Sequence, residues 1–344
     1  MSHTIPVLMT MRFRDALLDE LRTVSPRLDI RQQSVREDRE EISAFLDGNE
    51  EIVYCFAPPR DLARAPKLKW VQLHSAGVDH LREHPIWNTD ITVTTTSGIH
   101  AVPIGEFAFA LILALARKIP KMVRLQERGE WGGGVHRSNR WEILSGLELR
   151  GKTIGIVGYG SIGREIARIA KYGFHMRVVA MRRTTQPPRR RYNEPGVGDP
   201  EGRIPEKWFA PDEITALACE CDMVVLAAPA TNETRAMIGE EQLRAMKPHA
   251  LLINIARGEL IDDRALVTAL KDGWIAGAGL DAFTIEPLPR GHQLWHMDNV
   301  IISPHVSGAT GKYDDRAATL FAENLRRYLT GLPLLNVVAH DLQY

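Results

Sequence analysis

At 344 residues the chain is too long for one ordinary hydrophobic core and predicts two domains. Hydrophobic residues make up 44% and charged residues 25%, the proportions of a globular protein. Lys plus Arg (43) balances Asp plus Glu (43), so no global field recruits nucleic acid or a membrane surface. The three cysteines, Cys55, Cys219 and Cys221, are too few for a disulfide framework, which predicts a reducing compartment. Cys219 and Cys221 lack a second pair to complete a structural zinc site, and no metal is expected. The N-terminus shows no basic segment followed by an apolar run, and the longest apolar run, Phe107 to Ala116, is too short to span a bilayer. A cytoplasmic protein is expected.

Taken in order, Ile5 to Met9 reads as a strand and Phe13 to Leu21 as an amphipathic helix. A short strand at Leu28 to Ile30, a helix near Ile42 to Leu46, and strands at Glu51 to Phe56, Leu68 to Leu73 and Ile91 to Thr95 follow. This alternation predicts a small parallel-sheet domain with helices on both faces. His74 to Asp79 follows the fourth of these strands and reads either as a plain strand-to-helix turn or as a nest. In the second case the amides of Ala76 and Gly77 would hold a small anion. Pro103 to Lys118 is helical and apolar on most faces, which predicts burial between domains or in a subunit interface. Arg128 to Arg140, with Trp131 followed by three glycines, reads as a loop.

Thr153 to Val157 is a buried parallel strand by its composition, and Arg164 to Ala170 has helical spacing. Between them Gly158, Gly160 and Gly163 form a G-x-G-x-x-G turn. Gly158 permits the tight turn, Gly160 lets backbone approach a pyrophosphate, and Gly163 lets helix and strand pack closely. The free amides at the helix N-terminus favour that anion. Met176 to Met181 is the next strand, and its end should carry an acid if the ribose hydroxyls are unmodified. Arg182, Arg183 and Thr184 stand there instead, so a 2′-phosphate, and hence NADP(H) over NAD(H), is expected. Thr184 to Pro205, with Arg189, Arg190 and Arg191, is a long loop without periodicity. It reads as solvated surface or as reinforcement of that phosphate site.

Strands then recur at Met223 to Ala227 (ending at Pro229), Ala250 to Ile255, Ile275 to Leu280 and Val300 to Ser303. Helices lie at Asp212 to Ala218, near Glu240 to Met246, and at Asp263 to Leu270. Gly308 to Tyr328 is mainly a closing helix, and Leu334 to Val338 is apolar enough to pack back on the first domain. Open parallel sheets put reacting groups beyond the carboxyl ends of their strands. Arg257, Glu286 and His305 each lie just past such an end. Together they suit hydride exchange with a 2-keto acid. Arg257 would grip the carboxylate and polarise the keto oxygen with its planar fork. His305 would deliver a proton to that oxygen, and Glu286 would hydrogen-bond the imidazole and fix its tautomer. Trp70, Trp131 and Trp141 are candidates for limiting the pocket, but for Trp70 at least core packing is the favoured role.

At these motifs the chain resembles the D-isomer-specific 2-hydroxyacid dehydrogenase family over nearly its whole length. The resemblance rests on the glycine turn Gly158 to Gly163, Met246-Lys247-Pro248 with Leu252 to Gly258, Gly279 to Phe283 with Glu286 to Pro289, and Ser303-Pro304-His305. It implies an α/β fold of two doubly wound parallel-sheet domains, a Rossmann dinucleotide-binding domain (101–307) inserted in a flavodoxin-like substrate domain (1–100, completed by 308–344). It implies that Arg257, Glu286 and His305 are the catalytic set, that Ala76 and Gly77 bind the substrate carboxylate, and that Asp281 contacts the nicotinamide end. The cofactor set becomes Gly158, Gly160, Ser161, Ile162, Gly163, Arg182, Arg183, Thr184, Pro229, Thr234, Ile255, Ala256, Asp281 and His305. The helix from Pro103 would lie in a homodimer interface. Arg182, where the family usually carries Asp, resembles its NADP-preferring glyoxylate and hydroxypyruvate reductases. The arginine loop departs from the family. The alternative is a regulatory protein resembling the family's NAD(H)-sensing co-repressors. A formate dehydrogenase, which pairs its His with Gln, is disfavoured by Glu286.

Overall fold

The computed structural model describes residues 4–34, 42–132, 137–183 and 191–339, which divide into two compact units. The first unit holds the chain up to His100, residues 191–194, and the chain from Thr310. The second holds the chain from Ala101 to 183 and Pro195–Ala309. Among the described residues no helix is long and apolar enough to cross a membrane.

In the first unit, β1 (Ile5–Met9), β2 (Leu28–Gln32), β3 (Ile52–Cys55), β4 (Trp70–Leu73) and β5 (Thr92–Thr94) form a parallel sheet in the order β2-β1-β3-β4-β5. That order is the flavodoxin-like doubly wound one. The central strands β3 and β4 are buried throughout because both faces of the sheet are covered. On one face α1 (Asp15–Thr23) inserts Leu17, Leu18 and Leu21, and the closing helix Tyr313–Thr330 inserts Leu320, Phe321 and Leu325. On the other face Leu8, Val53, Val71 and Val93 pack with Leu81 and Ile86. Trp70 is fully buried and donates its indole N–H to Thr94 Oγ1 at 2.7 Å, so it is a core residue. Val337 bridges Thr94 antiparallel, and Val338 is buried beside β5. Residues 191–194 are tied to this unit by the Tyr192 amide, which donates to Asn336 Oδ1 at 2.9 Å. Arg316 adds an ion pair to Glu194 at 3.0 Å.

In the first unit His74 and His100 gather around Tyr313. Tyr54 O–H and His74 Nδ1 are 2.8 Å apart, the His74 ring packs on Tyr313, and Tyr313 meets His100 edge-on at 5.0 Å. Burial pulls both His74 and His100 down to about 4, each with a smaller push from a neighbouring positive group. A histidine whose folded value lies below its unfolded value binds fewer protons when folded. Its contribution is therefore complete above the unfolded value and is lost as pH falls from about 6.5 to about 4. The expected outcome is a melting temperature clearly lower at pH 5 than at pH 7, the loss of stability amounting to at most about 2 kcal/mol for each imidazole. His74→Gln should flatten that slope. An equal slope in the variant would assign the acid sensitivity elsewhere.

The second unit opens with α2 (Ala101–Ala116), α3 (Ile119–Glu127) and α4 (Arg137–Leu144). α4 modifies the expectation of a loop over 128–140, since it begins inside it, while α3, just before that stretch, was not predicted. α2 buries Ile104, Ala108, Phe109, Leu111 and Ile112 against this unit's own sheet, which accounts for its nearly all-round apolar sequence. Seven parallel strands follow: β6 (Thr153–Val157), β7 (Arg177–Met181), β8 (Lys207–Phe209), β9 (Met223–Leu226), β10 (Leu251–Asn254), β11 (Gly277–Leu280) and β12 (Val300–Ile302). Their order, β12-β11-β10-β9-β6-β7-β8, is that of a Rossmann fold, with strand order reversing between β6 and β9. Helices α5 (Ser161–Arg168), α6 (Ile214–Glu220), α7 (Glu240–Ala245) and α8 (Asp263–Lys271) cover the sheet faces. β8 is a three-residue edge strand just past the expected loop, in a stretch to which the sequence assigned no element. Thr184, and the rest of 184–190 in the arginine loop, lie outside the described residues.

Candidate active site

The glycine turn lies where a ligand crevice is expected, at the carboxyl ends of β6 and β9. Gly158 has φ +97°, and a Cβ there would stand 2.7 Å from the backbone of Ala227 and Ala228, so the turn lies directly against the chain leaving β9. A Cβ on Gly163 would meet Gly158 O at 2.3 Å, which is the close helix-to-turn packing that only glycine allows. Gly160 differs from both: a Cβ there would meet nothing within 4 Å. It leaves an open cradle at the N-terminus of α5, beside Ser161 and Ile162, and that cradle fits a pyrophosphate.

Arg182, at the end of β7, lays its guanidinium on the Trp208 ring, 4.0 Å from the centroid. Arg183 is exposed and reaches Glu233 at 3.8 Å. Beyond β9, the Thr234 hydroxyl donates to Pro229 O at 2.7 Å and accepts the Thr231 amide at 2.8 Å, folding the loop into shape. Ile255 and Ala256 are buried past β10, and the Ala256 amide is held by Asn254 Oδ1 at 3.1 Å.

Asn254 also donates to Arg257 O at 2.9 Å, and Arg257 Nη1 donates to Ala256 O at 2.8 Å. The next residue, Gly258, is pressed on the segment leaving β11. A Cβ there would lie 1.9 Å from Phe283 C and 2.1 Å from Thr284 N. Hence the loop bearing Arg257 and the loop bearing Glu286 pack backbone to backbone. Glu286 Oε1 accepts the Phe283 amide at 2.9 Å, while Oε2 stands 2.9 Å from His305 Nδ1. Both side chains are open to solvent, at 46% for His305 and 38% for Glu286. The structure therefore brings His305 and Glu286 into direct contact and sets the Arg257 loop against the one that carries Glu286.

His305 occupies the left-handed region, at φ +54°, on a loop that Asp281 holds. Asp281 is 1% exposed. Its Oδ1 accepts from Ser303 Oγ and from the Val306 amide at 2.9 Å, and its Oδ2 accepts from the Ser307 amide at 3.0 Å. Its own carbonyl takes the His305 amide at 2.9 Å. Both carboxylate oxygens are thus occupied by the 303–307 loop. In the first unit the Ser75 hydroxyl donates to Gly77 O at 2.8 Å and closes the turn that carries Ala76 and Gly77. Of the tryptophans weighed for the pocket, Trp70 is in the core, while Trp131 and Trp141 are 86% and 72% exposed.

Sequence reasoning passed over two side chains beside the glycine turn, Trp208 and Arg164. Trp208 lies on the unforeseen edge strand. Arg164 follows Gly163 in α5 and is 7% exposed. The available signal was its position, one residue past the motif.

Comparisons with known proteins identify the family. The profile of the D-isomer specific 2-hydroxyacid dehydrogenase NAD binding domain matches residues 109–307. A glyoxylate reductase of Pyrococcus furiosus is 41% identical over 268 residues, 78% of this chain and 74% of that one. A D-isomer specific 2-hydroxyacid dehydrogenase of Xanthobacter autotrophicus, solved with NADPH and MES, superposes with TM-score 0.76 at 29% identity, over 100% of each chain. A 2-hydroxyacid dehydrogenase family protein of Aeromonas salmonicida gives TM-score 0.78 at 28% identity, covering 98% of this chain and 100% of that one. The chain belongs to the D-isomer specific 2-hydroxyacid dehydrogenase family and is a hydroxyacid oxidoreductase with a nicotinamide cofactor.

Proposed function

We propose that the protein is an NADP(H)-dependent reductase of small 2-keto acids of the glyoxylate or hydroxypyruvate kind. The observation that carries the reading is the 2.9 Å contact of His305 Nδ1 with Glu286, which sets the orientation of an exposed imidazole beside the Arg257 loop. The cofactor supplies the hydride when bound, and Gly158, Gly160, Ser161, Ile162 and Gly163 hold its pyrophosphate. Arg182, Arg183 and Thr184 take the adenosine 2′-phosphate. Pro229, Thr234, Ile255, Ala256 and Asp281 shape the crevice toward the nicotinamide end, Asp281 acting through the 303–307 loop.

Arg257 binds the substrate carboxylate and polarises the keto oxygen; a guanidinium offers the matching planar donors. Ala76 and Gly77 supply further amide donors to the carboxylate. His305, protonated and held at Nδ1 by Glu286, delivers the Nε2 proton to the developing alkoxide. In the direction of hydroxy-acid oxidation the same nitrogen accepts it. The first unit is the substrate domain and the second the cofactor domain. The reading also makes the protein a cytoplasmic homodimer. The exposed Ile119, Met122 and Val123 of α3 support an interface at this end of the second unit.

Support for NADP(H) comes from Arg182 in place of an acid and from the NADPH in the Xanthobacter relative; support for the substrate comes from the glyoxylate reductase relatives. The test is oxidation of NADPH and NADH, followed at the nicotinamide band, against glyoxylate, hydroxypyruvate, pyruvate, phenylpyruvate and branched-chain keto acids. Turnover of glyoxylate or hydroxypyruvate that is faster with NADPH is expected. A preference for NADH, or for the bulky acids alone, would overturn the corresponding half of the reading.

A further inference from the structure

In the second unit, a charged side chain beside the glycine turn is more than nine-tenths buried and lacks a partner. Arg164 is 7% exposed, and its Nε is shielded from solvent with no hydrogen bond among the described residues. The stem of the side chain is covered: a Cβ on Gly198 would lie 3.2 Å from Arg164 Cβ. Leaving a guanidinium N–H dry and unpaired is costly, more so than for a neutral donor, so the position calls for an acceptor.

The neighbours narrow down which acceptor. Burial lowers the Arg164 pKa, Tyr159 and Asp199 raise it, and the positive charge of Arg182 lowers it again. The charge of Arg182 is therefore felt at Arg164. Asp199 carries a single negative charge against the two guanidiniums, and its oxygens already accept from neutral donors. Oδ2 accepts from the Tyr159 hydroxyl at 2.7 Å and from the Ile204 amide at 2.9 Å, and Oδ1 from the Arg203 amide at 3.0 Å. Two cations against one acid leave a net positive charge. Arg182 is also fixed in place. Its guanidinium lies on Trp208 at 4.0 Å, and Trp208 meets Tyr159 edge-on at 4.9 Å and 82°. Tyr159 belongs to the glycine turn, and the Gly158 amide donates to Met181 O at 3.1 Å, so the end of β7 adjoins that turn. The excess charge lies where the ribose next to a turn-bound pyrophosphate belongs.

We propose that Arg164 and Arg182 jointly bind a phosphate monoester, the 2′-phosphate of the adenosine ribose, with Trp208 as the positioning residue that keeps Arg182 flat. The inference rests on the NADP(H) reading and adds Arg164 and Trp208 to it. A dianion between two guanidiniums removes their repulsion and offers acceptors to the unpaired N–H. Arg164 then discriminates between the two cofactors although it lies outside the segment where such discrimination is normally sought.

The test is calorimetric titration of the full chain with 2′,5′-ADP and, separately, with 5′-ADP. The wild type should bind 2′,5′-ADP more tightly. Arg164→Met should cut that preference by about tenfold or more, as the loss of a charge-assisted contact predicts, with 5′-ADP affinity unchanged. Arg164→Lys should restore part of it, since a point charge replaces the fork. Trp208→Leu should weaken 2′,5′-ADP alone. Loss of preference in Arg182→Met with full preference in Arg164→Met would overturn this inference and leave the NADP(H) reading standing. No preference in the wild type would overturn both. If Arg164→Met fails to fold, Arg164→Lys and Trp208→Leu decide: wild-type preference in both rejects the site.

Discussion

Replacing His305 with asparagine is expected to lower kcat by about 10²–10⁴-fold, the usual worth of a positioned general acid, while cofactor affinity stays at the wild-type level. The backbone argues for asparagine as the replacement. His305 has φ +54°, a region that asparagine enters more readily than most residues, so the loop has no reason to rearrange. The side chain is 46% exposed and its ring contact is with Glu286, so little packing is lost. What disappears is the ionisable ring whose second nitrogen faces away from Glu286. Steady-state kinetics together with equilibrium titration of the cofactor separate the effects. Retained turnover would remove His305 from the chemistry, and joint loss of turnover and cofactor binding would make it a structural residue.

The second large effect is expected at Asp281, which Asp281→Asn probes with almost no change of shape. One carboxylate oxygen serves Ser303 and Val306, and the other takes the Ser307 amide. An amide side chain can keep the first oxygen's bonds, but its NH₂ group must then face the Ser307 N–H, donor against donor. Each hydrogen bond to a buried charge is worth about 1.5–3 kcal/mol, and the confronted donor adds its desolvation penalty. A clear fall in melting temperature is expected. So is a fall in kcat with Arg257, Glu286 and His305 all intact, because the His305 amide hangs from the Asp281 carbonyl on the same loop. Wild-type stability and rate in this variant would show that the 303–307 loop is held by other means.

The sheets were legible in the sequence because buried parallel strands are short runs of Val, Ile and Leu on which few other structures are possible. Thr153–Val157 and Ile5–Met9 emerge with the boundaries their composition predicts. α3 was not read, although Ile119, Met122 and Val123 stand at helical spacing: the stripe is only three residues long, follows directly on the apolar α2, and none of it is buried. β8 escaped for a different reason, being three residues at a sheet edge where propensity carries little information. His305 and Glu286 were legible as a pair because strand ends in an open parallel sheet converge on one edge. The occupation of Asp281 was not, since two of its donors are backbone amides and every residue has one. The orphaned Arg164 was equally hidden. A lack of partners is a property of the folded chain, and its sequence neighbour Glu165 gives no hint of it.

One consequence follows for the order in which the protein is made. Ile5, Val7, Phe13 and Leu21 bury themselves against Leu320, Phe321 and Leu325, which are synthesised much later. The chain between them, residues 101–309, carries the whole seven-stranded sheet. At about 5–20 residues per second its synthesis takes on the order of ten to forty seconds. For that time the nascent N-terminal strands have an uncovered apolar face, while the nucleotide-binding unit behind them can already close. The early strands of the first unit thus finish folding only after the whole second unit has been made, and it is for them that a chaperone has most to do.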